Sequence, residues 1–169
     1  MTAEMVMNQT AQAVATAAQT MPGMSITHYM ELLTTNQPWN LIFFMAIPVI
    51  LVEILVASEF FVTFNRLYEG TLRTFNKYLG TFLGFYFLGI FLYLTTTVVP
   101  TIIWRGPVDI LSVGLYLSGV IFLFGISLLE LGILRRGAAR ETKMQTHFIL
   151  LIGFLVVAHL AMIFGMVSP

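Results

Sequence analysis

Tyr78–Ile103, YLGTFLGFYFLGIFLYLTTTVVPTII, runs for 26 residues without a single Asp, Glu, Lys or Arg. At a rise of about 1.5 Å per residue, a helix of that length reaches about 39 Å, more than the ~30 Å hydrocarbon core of a bilayer. The run does not alternate between polar and apolar positions, as a strand of a membrane barrel would, so its backbone groups have to be satisfied within one helix. Three more stretches read the same way. They are 39–64, interrupted by Pro48, Glu53 and Glu59; 110–134, which holds Glu130; and 147–167, which holds His147 and His159.

The whole chain agrees with these four runs. Its 169 residues are 58% hydrophobic and 9% charged, with a mean hydropathy of +0.90. A soluble domain carries about 25% charged residues, so this composition cannot coat a water-facing surface. The expected fold is all-α: a polytopic membrane protein with a four-helix transmembrane bundle at 39–169. Before it, at 1–38, come an outer tail and a short interfacial helix. Ser25 or Thr27 is placed to cap that helix, and Tyr29, Met30, Leu32 and Leu33 are placed to rest on the membrane surface. Residues 1–27 contain no Lys or Arg and no continuous apolar core, unlike a cleavable signal peptide.

Charge sets the expected orientation. Arg66, Arg73 and Lys77 lie between the first two spans, and Arg135, Arg136, Arg140 and Lys143 lie before the last, against Arg105 alone at the opposite end. Seven against one puts both termini outside the cytoplasm. Eight basic and eight acidic residues balance, which leaves no field for nucleic acid. The absence of cysteine removes thiolate metal sites, iron–sulfur clusters and a cysteine nucleophile. There is no nucleotide-binding glycine loop, H-E-x-x-H motif or serine elbow, so an enzyme is disfavoured.

Small residues suggest where helices meet, because close backbone approach drives helix association in lipid. Gly114, Ser118, Gly125 and Gly132 form one stripe, and Gly80 with Gly84 forms a G-x-x-x-G pair.

Ionisable groups inside hydrocarbon are costly and mark function by default. Glu53 falls near the middle of its span, on the face of Ala46 and Ala57, which predicts a side turned toward a neighbouring helix. Glu59, Glu130 and His147 come from three helices, yet all fall roughly 30 Å below the outer boundary when depth is counted at about 1.5 Å per residue. Together they suit proton exchange or a divalent ion. His159, Met162 and Met166 share one helical face, and Met21, Met24, His28 and Met30 gather ahead of the first span. Imidazole and thioether donors suit copper or one b-type haem, and three histidines exclude two bis-histidine haems.

The run from His28-Tyr-Met-Glu-Leu-Leu through Asn36-Gln-Pro-Trp-Asn, entering a span with Pro48 and Glu53, resembles small four-helix bacterial inner-membrane proteins labelled permeases. That resemblance implies a multi-pass protein of a bacterial inner membrane and transfers no functional residue. Three functions stay in play: proton or metal-ion handling at the buried Glu and His residues, a haem- or copper-binding redox subunit, and an accessory subunit of a larger membrane complex. A homo-oligomer or a partner subunit accompanies each of them, because four helices are few for an independent transporter.

Overall fold

The computed structural model describes residues 26–64, 69–137 and 139–167; Met21, Met24, Ser25 and Arg66 lie outside the described residues. It is all-helical. A short helix α1 (His28–Thr34) precedes a single turn α2 (Trp39–Leu41), a π-helical turn at Ile42–Ala46 and the long helix α3 (Ile47–Phe64). Then come α4 (Glu69–Tyr93), which runs on through a π turn (Leu94–Val98) and a 3₁₀ turn (Val99–Thr101), α5 (Pro107–Glu130) and α6 (Arg140–Met166). Four stretches are long and apolar enough to cross a membrane: Trp39–Val62, Gly70–Thr101, Pro107–Glu130 and Glu141–Met166. The chain thus fits a multi-pass membrane protein. Large apolar side chains such as Ile121, Ile149 and Ile163 point outward as lipid-facing residues do.

Helix limits differ from the hydropathy limits. Expected spans of 78–103 and 147–167 become helices that begin at Glu69 and Arg140, because a helix does not stop where hydrocarbon does. Arg73, Lys77 and Lys143 are good helix formers and simply extend the same rods. The third span's helix, α5, ends early, at Glu130 and not 134, in a Schellman turn. Gly132 takes φ +73°, its N–H reaches Leu129 O at 3.1 Å, and Ile133 N–H reaches Leu128 O at 2.9 Å. Gly132 is therefore a helix stop.

The remainder of the expected glycine stripe makes no close helix approach either. Gly114 has open space where a side chain would be, and Gly125 makes only ordinary contact with Leu150. Close approach occurs instead at Gly80 and Gly84 of α4. An added Cβ at Gly84 would meet Ser127 Oγ at 2.0 Å and Leu123 O at 2.4 Å, and Ser127 Oγ donates to Thr81 O at 2.9 Å. Gly119 against Phe87 and Phe154, Gly153 against Phe122, and Gly165 against Tyr29 make further tight contacts. Successive spans alternate in direction, and α5 packs between α4 and α6. Val52, Leu55, Leu83, Phe87, Leu123, Ile126 and Leu151 fill the centre.

Pro48 has no N–H, so the carbonyl four residues earlier, Phe44, loses its intrahelical donor. Tyr116 of α5 replaces it, its hydroxyl donating to Phe44 O at 2.6 Å. Ile47 N–H bonds to Ile42 O in the wide turn, which frees Phe43 O, and Tyr86 of α4 donates there at 2.9 Å. Tyr116→Phe should therefore cost about 1–2 kcal/mol, since a buried carbonyl loses its donor. Chemical denaturation in mild detergent would show it, with Tyr78→Phe, at an outward-facing ring, as the unaffected control.

At the same end, α1 is clamped onto the bundle instead of lying free on the surface. Thr27 caps it, accepting from Met30 N–H at 3.4 Å and donating to Gly165 O at 2.8 Å. Tyr29 and Leu33 are buried; the Tyr29 ring lies against Gly165 and Tyr116, and burial pushes its phenol up to about 12. Asp109, fully buried in the first turn of α5, accepts from His28 N–H at 2.7 Å, approaches His28 Nδ1 at 2.6 Å and accepts from Arg105 N–H at 3.3 Å. Arg105 reaches Glu31 at 2.7 Å.

Candidate functional site

The opposite end of the bundle holds a pocket of about 90 Å³, lined by Glu59, Arg73, Asn76, Glu130, Lys143 and His147 with Val62, Leu129 and Met144. Each of the four long helices contributes. Along α3, positions 48, 52, 55, 59 and 62 form the inward seam, which delivers Glu59 beneath Leu55. On α4, Arg73, Asn76 and Gly80 follow the helical repeat, so the surface that brings Gly80 against Ile126 also turns Asn76 inward. Gly80 leaves room for the Glu130 stem, whose Cγ lies 3.8 Å from where a Cβ would stand. The last residue of α5 is Glu130 and the eighth of α6 is His147.

His147, 2% exposed, lies between the two carboxyls. Its Nδ1 is 3.1 Å from Glu59 Oε1 and its Nε2 is 3.5 Å from Glu130 Oε1. Neither approach has the angles of a well-formed hydrogen bond. Among the described residues neither ring nitrogen makes a well-formed hydrogen bond, and the Asn76 carboxamide, close to the Glu59 carboxyl, retains unused bonding capacity. Asn76 is equally buried. Unused capacity of that kind inside a polar pocket with room for several waters points to exchangeable occupants.

Glu59, Glu130 and His147 are thus in one layer and in reach of one another. Glu53 is not with them. It stands six residues from Glu59, about 240° round the helix, and is exposed, as is Ala57. The face it shares with Ala46 and Ala57 is the one turned away from the bundle, not toward a neighbouring helix of the chain. His28 and His159 have separate partners: His28 meets Asp109, and His159 Nδ1 lies 2.7 Å from the Leu155 carbonyl of its own helix. Met162 lines a small apolar cavity beneath Tyr29, and Met166 is 72% exposed. Among the described residues no group of three His, Cys, Asp or Glu side chains converges to hold a metal ion.

Sequence reasoning passed over Asn76 and Asp109. Asn76 was hidden among the basic residues that fix orientation, although its spacing of four from Gly80 would have placed it. Asp109 reads as an ordinary first-turn acid, and only the folded position of α1 shows what it holds.

Residues 24–169 match a family of unknown function, DUF6803. The chain belongs to that family. No curated protein and no solved structure matches the chain. The DUF6803 match takes in α1 through α6, and with them the pocket and the Asp109 clamp.

Proposed function

We propose that the protein handles protons in the membrane, exchanging them at Glu59, His147 and Glu130. One observation supports this above the rest: a buried imidazole has a different carboxyl beside each of its two ring nitrogens. An imidazole can take a proton at one nitrogen and release one from the other, so such an arrangement passes one proton between two carboxyls and leaves the ring in its other tautomer, from which the reverse transfer or a turn of the ring resets it. Glu59 and Glu130 serve as the two terminals, and Arg73 and Lys143 at the same pocket balance their charge.

Protons suit the pocket better than a metal ion, given the lack of a converging ligand set among the described residues. The pocket opens at the end that bears Arg73, Lys77, Arg135, Arg136 and Lys143. The positive-inside rule makes that end cytoplasmic and puts both termini outside, in what the family resemblance suggests is a bacterial inner membrane.

Proteoliposomes with an imposed pH gradient and an internal pH-sensitive dye test the proposal. The wild type should dissipate the gradient, and Glu59→Gln, Glu130→Gln and His147→Gln should each slow it about tenfold or more. Wild-type flux in all three variants, with folding confirmed by gel filtration, would remove the basis for the reading.

A further inference from the structure

The first span, from the π turn through α3, carries two seams of the same period on opposite sides. The inner seam at 48, 52, 55, 59 and 62 is buried in the bundle, and the outer at 43, 46, 50, 53, 57 and 60 advances in the same alternating threes and fours. That alternation is the pattern by which two helices pack at a crossing angle of about 20°. Phe43, Ile50 and Phe60 of the outer seam are exposed, at 46%, 52% and 54%.

Glu53 interrupts this surface about 20 Å below Trp39 and about 14 Å above Val62, well inside the span. Among the described residues it has neither ion pair nor hydrogen bond. A carboxyl facing acyl chains there is unfavourable enough to require a polar neighbour at the same depth. A two-fold axis supplies one without any further sequence, because each residue then meets its own counterpart at equal depth. Carboxyls are self-complementary: a protonated one donates its O–H to an oxygen of the other. Ala57, one turn along, and Ala46, two turns back, let the backbones come close enough for the two short side chains to meet.

We infer that a second copy of this chain covers the outer face of α3, forming a parallel dimer in which the two Glu53 side chains hydrogen-bond to each other across the axis. This face is separate from the proton pocket, since Glu59 is on the inner seam.

Because the chain has no cysteine, single substitutions serve as clean reporters. In native membranes treated with a mild oxidant, Ala57→Cys should give a disulfide-linked dimer. Ile149→Cys, on the outward face of α6, should give little. Combining Ala57→Cys with Glu53→Leu should lower the yield severalfold, and with Glu53→Gln should preserve it, since paired carboxamides also hydrogen-bond. Equal cross-linking at both reporters, none at Ala57→Cys, a yield untouched by Glu53→Leu, or recovery of the protein from mild detergent only with a different subunit would each overturn the inference.

Discussion

Gly84→Ala should destabilise the bundle by about 3 kcal/mol or more, whereas Gly114→Ala should be neutral or stabilising by up to about 1 kcal/mol. Both replacements gain the same helix propensity, so their difference isolates packing. At Gly84 the added methyl would lie 2.4 Å from the Leu123 carbonyl, a backbone atom that cannot rotate away, and 2.0 Å from Ser127 Oγ. Turning Ser127 aside would break its bonds to Thr81 O and Gly80 O, so α4 and α5 have to separate. Gly114 has nothing within 4 Å. Thermal unfolding in mild detergent, followed by circular dichroism, would show a drop in Tm of several degrees for Gly84→Ala and none for Gly114→Ala. Similar Tm values for both would mean that α4 and α5 do not cross at Gly84.

Asp109→Ala should detach α1 while leaving the four long helices assembled. The carboxyl is fully buried and accepts two backbone N–H groups, from His28 and Arg105, besides meeting the His28 ring. Its position in the first turn of α5 adds the favourable pull of the helix N-terminus on negative charge. Removing one partner of a buried, charge-assisted set costs about 3–5 kcal/mol. That exceeds what the exposed Arg105–Glu31 pair, worth about 0–1 kcal/mol, can restore. Hydrogen exchange resolved by segment is the direct measurement. Amides of 28–35 should lose protection by a factor of about 100 or more, those of α4 and α5 should keep theirs, and Glu31→Gln should change little. Unchanged exchange at 28–35 would mean that Tyr29 and Leu33 alone hold the helix down.

The sequence shows the four spans plainly because lipid imposes a composition that leaves no other reading. The common depth of Glu59, Glu130 and His147 was legible as well, since the rise per residue of a helix is fixed and depth follows from counting. Rotation was not. In a soluble helix the polar face identifies the outside, but α3 is apolar on both sides, so Glu53 with Ala46 and Ala57 could be read as a shared face without any sign of which way it turned. For the same reason the stripe through Gly114 looked as suitable for packing as Gly84 did. Helix ends escaped too: hydropathy marks the edge of oil, whereas Arg73 and Lys143 continue the helix into the polar layer, and Gly132 acts through a positive φ.

Proline inside a span invites the idea of a swivel. In this protein the carbonyls released by Pro48 and the wide turn are gripped by phenols from two different neighbours, Tyr86 and Tyr116. Rotating the segment ahead of Pro48 would require unfastening both at once. The wide turn ahead of Pro48 is accordingly a bolt and not a joint, and any rearrangement that accompanies the proposed proton exchange has to originate elsewhere in the bundle.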